Sequence, residues 1–169
     1  MISVRQGTIY RKENVIIFTG AETIPCPICG GSLKVRGTCR RKLITREGEE
    51  TYRLRVMECK ACGKTHRELP SHMIPFKRMD ESLISDIASA GNEERLNMAE
   101  SSTWRRVRLW VLWFLQYARS VLEGRQGLPN RLPAISDSAA IECALAPLVR
   151  LVVNSGNWIQ HRSALTASA

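Results

Sequence analysis

No run in this 169-residue sequence approaches the roughly 18 to 20 consecutive apolar residues of a membrane-spanning helix, so no membrane partner is expected. Nor does the N-terminus carry a signal-peptide core, because Arg5, Arg11 and Lys12 interrupt it, and a cytoplasmic location is the expectation. Other absences narrow the chemistry. There is no glycine loop that would cradle phosphate, no serine or cysteine nucleophile beside a base, and no internal repeat or low-complexity tract. The chain is therefore read as not an enzyme.

What is present is positive charge, unevenly placed. Twenty-five Lys and Arg against sixteen Asp and Glu leave a formal charge of +9, a bias toward a polyanion or an acidic surface as partner. Residues 26–78 carry +8, residues 79–103 carry −5 and residues 104–131 carry +5. This divides the chain into an N-terminal strand or extension (1–25), a basic cysteine-bearing unit (26–78), a helical region (79–124), and a C-terminal helical segment with a tail (125–169). The joint falls near Pro70 to Asp80.

Cys26 and Cys29 form one Cys-x-x-Cys pair, and Cys59 and Cys62 a second, each followed by a glycine, Gly30 and Gly63. Two thiolates three positions apart face one ion when the backbone turns tightly, and glycine permits that turn by taking positive φ. Between the pairs, Leu33, Val35, Leu43 and Ile44 suggest one extended arm, while Tyr52, Leu54 and Val56 alternate in another. Residues 45–50, Thr-Arg-Glu-Gly-Glu-Glu, make the turn that joins them. The pattern predicts a small zinc ribbon, with Cys26, Cys29, Cys59 and Cys62 holding a structural Zn²⁺. Disulfides would need an oxidising compartment, and a redox pair would need a βαβ setting; neither is indicated. Four thiolates leave no open position on the metal, so the ion stabilises a fold and activates no water. His66 and His72 are then surface groups or hydrogen-bond partners of a ligand, and Cys39 and Cys143 are small, partly buried residues.

The arms are cationic. Lys34, Arg36, Arg40 and Arg41 lie on the first, and Arg53 and Arg55 on the second. Alternate strand residues share a face, so Lys34 is expected to project with Arg36, and Arg53 with Arg55. Such a face grips phosphate without reading bases.

After the ribbon the periodicity becomes helical. Leu83, Ile84, Ile87 and Ala88 recur behind Asp80 and Glu81, with Gly91 as the stop; a second short helix can start at Asn92; a third runs from Trp104 to about Glu123 behind a Ser101-Ser102-Thr103 cap. This matches a helix-turn-helix arrangement, and the whole chain an α+β fold: an antiparallel ribbon, then helices. In the third helix Trp104, Val107, Val111, Phe114, Ala118 and Val121 are the expected core. Ser102, Thr103, Arg105, Arg106 and Arg108 are the residues expected at a DNA groove. Leu109, Leu112 and Trp113 leave the polar side apolar, and the segment Ala139 to Val153, broken or kinked at Pro147, is a candidate cover for it.

Cys26-Pro27-Ile28-Cys29-Gly30-Gly31, Leu33-Lys34-Val35-Arg36-Gly37, Arg53-Leu54-Arg55, Cys59-Lys60-Ala61-Cys62-Gly63-Lys64-Thr65-His66, Leu69-Pro70 and Ile74-Pro75 resemble an uncharacterised bacterial family, a domain of unknown function. That family is similar to the N-terminal zinc-ribbon and helix-turn-helix parts of insertion-element transposases. The resemblance covers roughly residues 20 to 115. It implies a small protein linked to mobile elements, with the four cysteines as metal ligands. A transposase core needs three separated carboxylates and two metal ions. Here Asp80, Asp86 and Asp137 lie in or beside short helical segments, so any such chemistry belongs to another protein. The expected function is double-stranded DNA binding without catalysis. The alternative is an adaptor that docks a transposase, a polymerase or another DNA-acting enzyme.

Overall fold

A computed structural model describes residues 1–89, 101–122 and 138–158. Six strands, β1 (Ile2–Val4), β2 (Gly7–Lys12), β3 (Val15–Gly20), β4 (Leu33–Thr45), β5 (Gly48–Cys59) and β6 (Thr65–Pro70), precede three helices: α1 (Glu81–Ser89), α2 (Ser101–Leu122) and α3 (Ser138–Asn154). The fold is mixed α+β.

The expected hairpin is β4–β5, antiparallel from Leu33↔Cys59 to Thr45↔Gly48. Thr45 closes its turn, its hydroxyl accepting the Glu47 N–H at 3.2 Å and donating to the Gly48 carbonyl at 3.1 Å. Directly paired residues share a face, and on the inner face Leu43, Tyr52 and Leu54 are buried. A bulge between Val35 and Gly37 then shifts the register. One extra residue reverses the facing of everything beyond it, so Val35 points out, 53% exposed, and Arg36 is the bulged residue. Lys34 and Arg36 therefore do not form the regular same-face pair that simple alternation predicts.

β5 is the axis of a curled sheet. Along one edge it pairs with β4; along the other it pairs first with β3, parallel through Thr51–Arg53 side by side with Val15–Ile17, and then with β6, antiparallel through Val56–Glu58. β2 extends the sheet beyond β3, and β1 runs parallel to β6. Residues 1–25, expected as a strand or extension, thus supply three strands. Their partners lie tens of residues away, which local pattern cannot reveal.

Two cores result. Val4, Ile16, Phe18, Leu43, Tyr52, Leu54, Leu69 and Met73 fill the curled sheet. Ile74, Ile84 and Ala88 join the inner faces of α2 and α3 in the other. The connection after β6 links them: it lies along β4, with the Ile44 N–H donating to the Arg78 carbonyl at 2.7 Å and the Asp80 N–H to the Ile44 carbonyl at 3.0 Å. Asp80 then caps α1, accepting the Leu83 N–H at 2.9 Å.

On α2 the buried stripe is Trp110, Val111, Phe114, Leu115, Ala118 and Leu122. It shares Val111, Phe114 and Ala118 with the expected set, but Trp104, Val107 and Val121 are only half-buried. The helix is rotated so that its arginine-free sector faces α1 and α3. α3 runs through Pro147 as one helix and packs on α1, α2 and β1. It does not cover the apolar outer side of α2, where Leu109 and Leu112 remain 46% and 38% exposed. The helix expected from Asn92 and the Gly91 stop expected for α1 lie outside the described residues, as does the side chain of Cys143. Among the described residues, no helix is long and apolar enough to cross a membrane.

Candidate metal centre

The two Cys-x-x-Cys turns are built alike. In the first, the Gly30 N–H donates to the Cys26 carbonyl at 2.8 Å and the Cys26 N–H to the Gly31 carbonyl at 2.9 Å. In the second, the Gly63 N–H donates to the Cys59 carbonyl at 3.0 Å and the Cys59 N–H to the Lys64 carbonyl at 2.9 Å. Gly30 and Gly63 sit at φ 73° and 68°, the left-handed region expected of them. The hairpin brings the turns together, because Cys59 lies opposite Leu33 at the base of β4.

All four Sγ atoms lie within 4.8 Å of one another. Cys26 and Cys62 are 3.8 Å apart and Cys29 and Cys59 3.5 Å, too far for a disulfide, whose S–S bond is about 2.05 Å. A tetrahedral ion with metal–sulfur bonds of about 2.3 Å sets its sulfurs about 3.8 Å apart. The residues therefore fit one metal ion in a closed four-thiolate shell. The proton affinities within the cluster diverge. Backbone N–H groups of Cys62 and Ala61, with the Cys29 and Cys62 thiols, draw Cys59 down to about 6 against the effect of burial. Cys29 is pushed up to about 12: the Gly31 amide favours its thiolate, but the crowding thiols of Cys62, Cys59 and Cys26 and desolvation outweigh it. One thiolate forms easily and the last resists, a conflict that a dication removes.

Neighbours hold this cluster in place. His66, buried at 4% exposure, sets Nε2 3.3 Å from Cys26 Sγ, with Nδ1 3.3 Å from the Met1 amino group. Burial, then the nearby ammonium, lowers its proton affinity; with Nδ1 facing a donor-only ammonium, Nε2 is the nitrogen left to carry a proton toward the sulfur. It is no surface residue. His72 lies instead against Tyr52, ring centroids 5.7 Å apart. Gly31 leaves no room for a side chain, since a Cβ would come within 2.9 Å of Ala61 Cβ and 3.0 Å of Cys59 Sγ. The doubled glycine after Cys29 was the legible signal for it.

The chain's far end also reaches the first turn. After α3, Gly156 at φ 78° closes a helix-ending motif, its N–H donating to the Val153 carbonyl while Asn157 donates to Val152, both at 3.2 Å. A Cβ on Gly156 would lie 2.3 Å from the Pro27 carbonyl oxygen. Asn154 bonds both backbone groups of Ser3, each at 2.8 Å, and Arg150 pairs with Glu22 at 2.9 Å. Tyr117 donates to the Asn157 carbonyl, and Trp158 packs on Phe114. Residues 154–158 thus clasp the helices to β1 and the metal turn.

The basic residues separate into engaged and open ones. Arg55 closes the fork between β3 and β6: it donates to both oxygens of buried Glu68, at 2.6 and 2.8 Å, and to the Gly20 carbonyl at 2.8 Å. Glu68 in turn accepts the Gly20 N–H at 3.0 Å. Arg41 donates to the carbonyls of Ile74 and Lys77. These two guanidinium groups, expected on a phosphate-facing surface, are consumed inside the fold. Lys34 pairs with Glu58 at 3.3 Å. Arg36 and Arg40 are exposed and Arg53 half-exposed, with Arg40 directly opposite Arg53. On α2, Ser102, Arg105 and Arg106 are exposed and Thr103 half-buried, while Arg108 lies over the Trp104 ring, 5.1 Å from its centre. Arg106 joins Lys77 and Arg78 around a 130 Å³ pocket floored by Trp110. Lys77 sits 4.4 Å above that ring, and burial draws its ammonium down to about 8.

A four-thiol cluster able to hold one metal ion, set in a curled α+β fold, is the class that this geometry defines. A domain of unknown function, DUF6431, covers residues 26–107, the stretch holding both cysteine pairs and Arg105 and Arg106. No curated protein and no solved structure matches the chain.

Proposed function

We propose that the protein is a non-catalytic, DNA-binding zinc-ribbon and helix-turn-helix protein of the bacterial cytoplasm, associated with the transposases of mobile elements. Zinc is the ion that suits four closed thiolates best. The observation that carries the reading is the Arg40–Arg53 pair. Like charges directly opposite across an antiparallel pair are destabilising, and among the described residues neither has an ion pair. A polyanion supplies the missing counter-charge. The open set is Arg36, Arg40 and Arg53 on the ribbon, with Ser102, Arg105 and Arg106 at the start of α2.

Titration of double-stranded DNA into the metal-loaded protein between about 50 and 200 mM salt tests this. Log affinity is expected to fall linearly with log salt, and the Arg40→Ala, Arg53→Ala double variant to reduce the slope by roughly two for all sequences alike. Binding indifferent to salt, or no binding, rejects the reading. Leu109 and Leu112, exposed on α2, favour the second reading: an adaptor that docks a DNA-acting enzyme.

A further inference from the structure

The turn after β6 holds an aromatic residue where stereochemistry asks for glycine. Lys77 donates its N–H to the Ile74 carbonyl at 3.2 Å, which closes a four-residue turn with Pro75 and Phe76 at its centre. Proline followed by a residue of positive φ is the type II pattern, and its third position is ordinarily glycine or asparagine. Phe76 occupies it at φ 61°. A bulky side chain is strained there, and packing does not repay the strain, because Phe76 is 54% exposed.

The strained turn is fixed from beneath. Arg41 donates to the carbonyl at each end, Ile74 at 2.7 Å and Lys77 at 2.5 Å. Surroundings that over-determine an unfavourable conformation are the mark of a site where the side chain's position matters. Phe76 forms one wall of a 370 Å³ cleft whose other walls include Cys39, Val56, Thr65 and Arg67 on the sheet. No described lining residue is acidic, and Arg67 is exposed. Burial, and then the nearby Arg67 guanidinium, disfavour the charge on Arg41, so a second cation lies close behind Arg67 and the cleft carries a positive potential beside a solvent-facing ring. An exposed aromatic face next to cations is what stacks an unpaired base and holds its phosphate.

We propose that this cleft binds one nucleotide of single-stranded DNA, its base stacked on Phe76 and its phosphate on Arg67. The proposal rests on the DNA-binding reading for its choice of polyanion, and it adds a second mode that blunt duplex cannot use.

The test is fluorescence anisotropy on the full, metal-loaded chain, with an oligo-dT single strand and a blunt duplex of equal length, alongside thermal melting. Phe76→Asn is expected to weaken single-strand binding about 5- to 150-fold, the loss of one base–aromatic stack. Duplex affinity should be unchanged, and the melting temperature equal or higher, since asparagine tolerates the left-handed turn. Phe76→Trp should retain single-strand binding. No single-strand binding by the parent chain, equal binding by Phe76→Asn, or a lower melting temperature for that variant overturns the proposal and leaves Phe76 as a protein contact or a packing residue. Single-strand binding that depends on Phe76, with no salt-dependent duplex binding, supports the proposal while rejecting the duplex reading alone.

Discussion

Lys77 shows how a single side chain can carry a cost that the fold accepts. Burial draws its ammonium from 10.5 down to about 8 while it lies above Trp110. The folded chain therefore holds fewer protons at this residue than the unfolded chain between those two values, and stability contributed here rises as pH increases through that window. Lys77→Met should abolish this rise, read as the difference between the two urea-unfolding curves at each pH. At neutral pH it should stabilise the protein by on the order of 1 kcal/mol, allowing for solvent that still reaches the group and for the lost contact with Trp110. At the metal centre the residue-scale test is His66. His66→Ala removes a donor 3.3 Å from the Cys26 sulfur, and metal affinity in chelator competition should fall about 10- to 100-fold with stoichiometry unchanged. The cysteines were legible as ligands because their spacing is local chemistry. For His66 the sequence left two readings, a surface group or a ligand's hydrogen-bond partner, and the pairing of β6 with β5 through Met57↔His66 decides for the second.

Among the elements, β4 and β5 could be read from alternation and a turn, while the bulge at Arg36 could not. An inserted residue keeps the same apolar count and changes only which face receives it. α2 is a related case: Val111, Phe114 and Ala118 were visible as core, but the exact rotation was decided by where α1 and α3 lie. The fork in the sheet depends on Arg55 and Glu68, and removing one partner of a buried pair leaves the other uncompensated. Glu68→Ala should cost about 3 kcal/mol in denaturant unfolding, somewhat less if water reaches the partly exposed Arg55. The end of α3 makes a separate prediction. Gly156→Ala places a methyl 2.3 Å from the Pro27 carbonyl at a left-handed φ, so it should lose at least about 1 kcal/mol of stability. It should also weaken metal binding, because the displaced segment is the first Cys-x-x-Cys turn.

For the molecule as a whole, the clasp of residues 154–158 couples the four-cysteine cluster to the helices. Asn154 grips β1, Gly156 abuts Pro27, and Trp158 packs on Phe114 of α2. Chelation of the metal should therefore reduce helical ellipticity at about 222 nm together with the ribbon signal, in one transition. Survival of the full helical signal after metal removal would mean that the helical layer folds alone. The same coupling bears on the proposed DNA binding. If a bound metal fixes the arrangement of the β4–β5 arginines relative to those of α2, apo-protein should lose the proposed duplex affinity as well as structure.

Composition, spacing and local pattern determined the two cysteine pairs, the hairpin that joins them, the amphipathic helices and the positive charge. Each depends on residues near one another in the chain. Tertiary structure alone decided which charges remain open: Arg41 and Arg55 carry the same guanidinium as Arg40 and Arg53, yet two are spent on carbonyls and a buried carboxylate while two face outward. It also decided that residues 1–25 complete the sheet and that the chain's far end closes over the first metal turn. Those outcomes are set by contacts between segments distant in sequence, and no local pattern encodes which distant partner a strand edge or a side chain will meet.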